Sequence, residues 1–439
     1  MSGAARQDWV AGRRGPLTGT LRVPGDKSVS HRAVMLAALA DGISRIEGFL
    51  EGEDTRATAS VFARMGVRFE APAAGVRIVH GVGVDGLRAP DGPLDCGNAG
   101  TAMRLLAGVL SAQAFDSVLV GDASLSRRPM RRVIDPLQQM GARIASSDGL
   151  PPLRIHGARL HGIDYRLPVA SAQVKSALLL AGLWADGDTC VHEPHPTRDY
   201  TERMLRAFGV AIDYAPGTAH LRGGQRLRAC ELRVPTDFSS AAFFIVAATL
   251  VPGSALRIER VGMNPRRTGL LQALRAMGAD IEAHAVDGSD RDDAVADLVV
   301  RHAPLHGIDL PVEIVPDMID EFPALFVAAA CATGTTVVRG AAELRVKESD
   351  RIATMVAGLR ALGIACEESA DGATIHGGRL RGGRVDSHGD HRVAMAFAVA
   401  GQRADGDVRI ADVANVATSF PGFDALAADV GFGLRTAGL

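Results

Sequence analysis

The chain has 439 residues, 47% of them hydrophobic and 22% charged, with a net charge of −2. At about 150 residues per domain this is room for roughly two to four domains with a sizeable core, and it excludes a disordered chain and a global basic field for nucleic acid. Apolar runs such as Ala241–Val251 are too short to span a bilayer, and Met1–Pro16 holds no apolar signal core, so the expected setting is cytoplasmic with no membrane partner.

In chain order, the first predicted helix is Ala-rich and opens at Pro24-Gly25-Asp26-Lys27-Ser28-Val29-Ser30-His31-Arg32. Gly25 permits a tight turn, and Ser28 or Ser30 can cap the helix. Lys27 and Arg32 add cations where free N–H groups already favour an anion; the plain alternative is a capped helix with solvated charges. Lysine is rare here, three residues (Lys27, Lys175, Lys347) against 45 arginines. The survivors are expected where guanidinium will not serve, because a compact ammonium can lose its proton near neutral pH. FARMGVRFE then reads as a short helix closing on Gly66, the left-handed position after a helix end, before an apolar strand. The Gly81–Gly86 segment GVGVDG lacks the strand–GxGxxG–helix order of a dinucleotide site.

A second Ala-rich helix starts at Asn98-Ala99-Gly100-Thr101, with Arg104 one turn on. Gly100 allows a ligand close to the backbone. Arg127, Arg128, Arg131 and Arg132 form either a solvated basic face or a clamp for phosphate or carboxylate, with Pro129 pinning the turn at Arg128. LQQMGARIA closes the next helix on Gly141. The third Ala-rich helix brings hydroxyl and amide donors, Ser171-Ala172-Gln173, and carries Lys175, a retained lysine or a helix-surface charge. Thr197-Arg198-Asp199-Tyr200 follows the next strand, and LRAFGVAID closes on Gly209.

The fourth start, Asp237-Phe238-Ser239-Ser240, suits capping as well as ligand contact, and LRAMGADIE closes on Gly278. The fifth places Asp317, Asp320 and Glu321 ahead of an apolar helix, as dipole caps or as a general base among cations. Arg345-Val346-Lys347-Glu348-Ser349-Asp350-Arg351 follows, and LRALGIACE closes on Gly363. The sixth offers Asp386, His388, Asp390, His391 and Arg392; a metal is conceivable, but Arg392 beside the ring argues for an anion. LAADVGFGL near Gly431 is a degraded last copy. Cys96, Cys190, Cys230, Cys331 and Cys366 form no CxxC pair and show no His at zinc-ligand spacing, so they read as reduced thiols, with no metal and no cofactor expected.

The closing glycines recur every 70–85 residues or so, in phase with the Ala-rich helices. The pattern implies an α/β (α+β) chain of six βαβαββ units, grouped as two globular domains of three repeats, with parallel buried helices and sheets outside. If the helix starts of each domain face the other, the cleft is an anion trap with at least two placed carboxylates, suited to small polyanions undergoing proton transfer.

These segments resemble 5-enolpyruvylshikimate-3-phosphate synthases, the 3-phosphoshikimate 1-carboxyvinyltransferases. The matching motifs are PGDKSVSHR, GNAGTAMR, DASLSRRPM, SAQVKSALLLAG, TRDYTERML, MIDEFP, RVKESDR and GDHRVAM, in family order from about residue 20 to 425. The resemblance implies the two-domain enolpyruvyl transferase fold, with residues 1–22 plus 250–439 as one domain, 23–249 as the other, and the active site in the cleft between them. It implies shikimate 3-phosphate on Lys27, Ser28, Arg32, Ser171, Ala172, Gln173, Arg198, Asp320 and Lys347. It implies phosphoenolpyruvate on Lys27, Gly100, Arg128, Gln173, Arg351 and Arg392. Asp320 would act as base toward the 5-hydroxyl, Glu348 as carrier of the C3 proton, and Lys27 in phosphate departure. A monomer that closes around its first substrate is implied, and a glyphosate target. Thr418 stands where many members carry a lysine, and Gly100 where glyphosate-tolerant members carry Ala. The sister transferase acting on UDP-N-acetylglucosamine fits less well, since Asp26-Lys27-Ser28 replaces its Lys-Asn pair and the 121–132 segment lacks its reactive Cys.

Overall fold

The computed structural model describes residues 7–286 and 294–437; residues 1–6, part of the segment read for a signal core, lie outside these. The chain divides into two compact units, one of Met1–Pro24 with Pro235–Leu439 and one of Gly25–Val234. The expected crossings were 22/23 and 249/250. The second falls earlier because the helix Phe238–Leu250, buried along its whole length, packs against Phe322–Cys331 and His391–Gly401 in the first unit's core. A helix apolar all round has no solvent face to offer, so it cannot sit on a boundary.

All six Ala-rich segments form buried helices. In the second unit these are Lys27–Leu39, Gly100–Ser111 and Ala172–Gly182. Small side chains let them approach: a Cβ on Gly108 would lie 2.2 Å from the carbonyl oxygen of Ala177. The six glycines that close the short helices, Gly66, Gly141, Gly209, Gly278, Gly363 and Gly431, all have φ between 83° and 103°, as expected for left-handed helix ends.

The repeat is visible in the sheets. In the third unit of the repeat, Asp164–Arg166 runs parallel to Asp188–His192, which pairs antiparallel with Thr218–Arg222, itself antiparallel to Ile212–Ala215. The second copy has the same order over Leu94–Asp95, Ser117–Val120, Leu150–His156 and Arg143–Ser147. Three copies are completed from elsewhere in the chain. In the first, Leu227–Arg228 and Glu231–Arg233 supply the parallel neighbour of Ala40–Glu47. In the fourth, Thr18–Leu21 lies parallel to Ala255–Gly262. In the sixth, Trp9–Gly12 pairs antiparallel with Asp405–Ala411 and with Gly433–Thr436. The N-terminal strands are therefore stitched into the unit that the C-terminal half builds, which protects sheet edges that a contiguous repeat would leave open.

Candidate active site

In the second unit, the starts of the three buried helices carry the cations. Asp26, not Ser28 or Ser30, caps the first helix, its Oδ1 accepting from the Val29 N–H at 2.9 Å. Ser30 Oγ instead accepts from the Leu50 N–H at 3.0 Å, so it ties the following turn to the helix. Gly25 is needed for contact rather than for a turn: a Cβ there would fall 1.8 Å from the Gly48 carbonyl oxygen. Lys27, the first helical residue, pairs with buried Asp54. Arg32 sits one turn further on and is 4% exposed. Its guanidinium donates to Thr201 Oγ1 at 2.7 Å, Ser176 Oγ at 2.8 Å and the Ser28 carbonyl at 3.0 Å, all neutral acceptors. Burial, and then the nearby Arg198, lower its pKa to about 10. A guanidinium held this way favours an arriving anion, which would replace the solvation that burial removed.

The second and third helix starts join through side chains. Arg104 donates to Gln173 Oε1 at 2.6 Å, and Gln173 donates to Thr101 Oγ1 at 3.0 Å. Arg128 donates to Asn98 Oδ1 at 2.6 Å. Gly100 lies under both guanidinium groups; a Cβ would be 3.1 Å from Arg128 Nη1 and 3.3 Å from Arg104 Nη1. Ser171 caps the Ala172–Gly182 helix, accepting from the Val174 N–H. The arginine cluster thus divides: Arg128 is buried, Arg132 is half-buried, and Arg127 and Arg131 are exposed.

In the first unit the carboxylates converge. Asp320 Oδ2 accepts from Arg267 Nη1 at 3.0 Å, and its Oδ1 lies 3.7 Å from Arg351 Nη1 and 4.0 Å from Lys347 Nζ. Arg267, buried, also donates to Asp237 Oδ1 at 3.1 Å. Asp237 caps the Phe238–Leu250 helix; burial raises its carboxyl, but Arg267 and Arg392 outweigh that and hold it below the ordinary range. Arg392 donates to the Asp320 carbonyl at 3.2 Å. Arg351 opens the helix Arg351–Ala361 and bonds Asp390 at 2.8 Å and Glu348 at 2.7 Å. Burial opposes its charge, yet Asp390 and Glu348 raise its pKa overall.

The three carboxylates of the Asp317–Glu321 segment part company. Asp317 is buried with Arg266, and Glu321 is buried against Ser239, its carboxyl pushed up by burial. Asp320 keeps the largest solvent-facing share of the three, 16% of its side chain against 7% for Asp317 and 1% for Glu321. Glu321 stands at the helix's N-cap position without making a side-chain cap bond. The His/Asp group of the sixth repeat is likewise divided: Asp390 caps the helix and grips Arg351, while His388 is exposed.

Sequence reading missed Arg267, Asp54, Ser176 and Thr201, since their roles appear only when distant segments meet. It read Cys190 as a plain reduced thiol and did not single out His192 beside it. They lie two apart on a strand and so share a face, with Asp164 in register with Cys190. Among the described residues these three bring a thiol, an imidazole and a carboxylate within 4.8 Å of one another.

An α/β chain of two units, each built from three βαβαββ repeats around buried helices, has the architecture of the enolpyruvyl transferases. The sequence profile of the EPSP synthases (3-phosphoshikimate 1-carboxyvinyltransferase) matches residues 12–426. A 3-phosphoshikimate 1-carboxyvinyltransferase of Xanthomonas campestris pv. campestris (strain 8004) is 70% identical over 432 residues, 98% of each chain. That of Xanthomonas axonopodis pv. citri (strain 306) is 70% identical over 434 residues, again 98% of each. A solved EPSP synthase of Acinetobacter baumannii superposes with a TM-score of 0.87 at 49% identity, covering 99% of this chain and 100% of that one. The chain belongs to the EPSP synthase family, whose members catalyse enolpyruvyl transfer in the shikimate pathway using shikimate 3-phosphate and phosphoenolpyruvate. No helix among the described residues is long and apolar enough to cross a membrane.

Proposed function

We propose that residues of both units serve one reaction, with Asp320, Glu348 and Lys27 moving its protons and the arginines holding its anions. Two polyanions brought side by side repel by several kcal/mol at roughly 4–6 Å in a partly dry site. Lys27, Ser28, Arg32, Ser171, Ala172, Gln173 and Arg198 offset this for shikimate 3-phosphate, with Asp320 and Lys347 on its hydroxyls. Lys27, Gly100, Arg128, Gln173, Arg351 and Arg392 do so for phosphoenolpyruvate. Glu348 gives a proton to C3 of phosphoenolpyruvate, leaving C2 electron-poor. Asp320 takes the proton of the 5-hydroxyl as that oxygen adds to C2, giving a tetrahedral intermediate. Glu348 then removes a proton from C3 as phosphate departs with the C2–O electron pair, assisted by Lys27. The enzyme works as a cytoplasmic monomer.

The observation that carries this reading is Asp320 itself. It is the carboxylate of its segment most open to solvent, and it lies within 4.0 Å of Arg267, Arg351 and Lys347. Such a setting holds the carboxylate in a fixed position among cations, as a base must be held. In a phosphate-release assay with both substrates, Asp320→Asn is expected to lower kcat by about 10²–10⁴ while both KM values stay within a few-fold. A near-normal kcat would remove Asp320 from the role. Replacing shikimate 3-phosphate by UDP-N-acetylglucosamine is expected to give no turnover.

A further inference from the structure

Of the three lysines, Lys27 and Lys347 belong to the site just described; Lys175 does not, and it is not a helix-surface charge. It is 3% exposed. Its Nζ lies 2.8 Å from Glu193 Oε2 and 2.7 Å from Glu202 Oε1, and both carboxylates are buried as fully as the ammonium. Burial opposes the Lys175 charge, but Glu202 and Glu193 outweigh it and raise its pKa. Burial pushes the Glu202 carboxyl up, in keeping with one ammonium shared by two acids.

Each partner leads to an anion-binding arginine. Glu193 accepts from the Thr197 N–H at 3.2 Å and from the Thr197 hydroxyl, so it clamps the residue before Arg198. Glu202 follows Thr201, and Lys175 precedes Ser176; these two hydroxyls bond each other at 2.7 Å and accept from Arg32 Nε and Nη2. One buried ammonium therefore joins the Ala172–Gly182 helix, the turn that carries Arg198, and the Tyr200–Ala207 helix. We propose that Lys175 is a positioning residue for shikimate 3-phosphate: it sets the turn that aims Arg198 and the hydroxyl pair that aims Arg32 at the phosphate group. The inference rests on the reading above, that Arg32 and Arg198 bind that phosphate. An ammonium suits the place because its three donors can converge on two acids in a small volume, whereas a planar guanidinium fork needs more room and a fixed angle.

The test compares Lys175→Met, Lys175→Arg, Glu193→Gln and Arg198→Gln in steady-state kinetics, with melting curves alongside. Lys175→Met is expected to raise KM for shikimate 3-phosphate by about tenfold or more, with KM for phosphoenolpyruvate within about twofold and kcat within about threefold. Lys175→Arg is expected to fail in the same direction. A residue that serves stability alone would lower the melting point without this split, and that result overturns the proposal. Should Lys175→Met not fold, Glu193→Gln decides: it keeps the Lys175–Glu202 contact and removes the carboxylate charge that joins Lys175 to Thr197, and an unchanged KM for shikimate 3-phosphate refutes the inference. Arg198→Gln separates the two levels. If it leaves that KM unchanged, the phosphate reading fails; if it raises that KM and the Lys175 and Glu193 variants do not, only the positioning role falls.

Discussion

Replacing Arg267 by methionine asks whether Asp320, the base proposed above, is aimed by a buried cation. Arg267 is 3% exposed and forks between Asp237 at 3.1 Å and Asp320 at 3.0 Å. At an effective dielectric of about 20, each contact is a gross attraction of roughly 5 kcal/mol, most of it offset by the cost of burying the guanidinium. Removing one partner of a buried pair costs about 3–5 kcal/mol, because the other charge is left behind. Here the stranded charge is Asp237, a buried helix cap whose remaining cation is the more distant Arg392. Asp320 keeps Arg351 at 3.7 Å and Lys347 at 4.0 Å but loses its 3.0 Å anchor. Arg267→Met is therefore expected to lose about 3–5 kcal/mol in denaturant unfolding and about 10²-fold in kcat, the scale of a misplaced reacting group. Adding Asp237→Asn removes the stranded charge while keeping a capping side chain, so the double variant regains most of the stability and none of the rate. If the double variant regains the rate as well, Arg267 acts through the helix cap alone. If the single variant keeps kcat within about threefold, Asp320 is not aimed by Arg267 at all.

Three other substitutions test the remaining supports. Gly100→Ala would place a methyl 3.1 Å from Arg128 Nη1 and 3.3 Å from Arg104 Nη1; glyphosate inhibition should weaken by about tenfold or more and KM for phosphoenolpyruvate rise a few-fold, while unchanged glyphosate inhibition would contradict the placement of Gly100. Gly25→Ala forces its Cβ, 1.8 Å from the Gly48 carbonyl oxygen, against backbone that must shift; a loss of about 1–3 kcal/mol or more is expected, and an unchanged melting point refutes it. Asp390 is held below the ordinary carboxyl value because Arg351, and then His391, outweigh its burial. Its stabilising share is thus complete above an unfolded value of about 3.9 and is lost as pH falls through the lower folded value. Asp390→Asn should be less stable than the parent at pH 7 and converge with it in strong acid; a gap that stays constant on acidification counts against this.

What was legible in the sequence is what local chemistry dictates. The six glycine-closed helices and the six buried ones follow from left-handed helix ends and unbroken apolar runs, both properties of a few consecutive residues. The crossing near residue 235 was not legible, since Pro235-Thr236-Asp237 carries no linker composition and only packing assigns Phe238–Leu250 to the first unit. Nor were the strands Trp9–Gly12 and Thr18–Leu21, which complete copies more than 200 residues away. The same division runs through the site. Lys27, Arg32, Gly100 and Asp320 stand at helix starts and announce themselves there. The groups that hold them do not: Arg32 finds Ser176 144 residues on and Thr201 169 residues on, and Arg267 reaches Asp320 across 53.

Composition gave one signal that reaches across such distances. In a chain where arginine outnumbers lysine 45 to three, each lysine turns out to be a partly or fully buried ammonium beside acids. Lys27 meets Asp54, Lys175 meets Glu193 and Glu202, and Lys347 meets Glu343 at 3.0 Å and Asp320 at 4.0 Å. None has a side chain more than 18% exposed. On a solvated surface the two cations are nearly interchangeable, so a mutational drift toward arginine runs unopposed there. In a confined acidic setting they differ in volume, in the angles of their donors and in the cost of desolvation. Replacing ammonium by guanidinium there is expected to strain the packing around it. The rarity of a residue type marked its constrained positions before any fold was known, Lys175 included, although no motif assigns it a task.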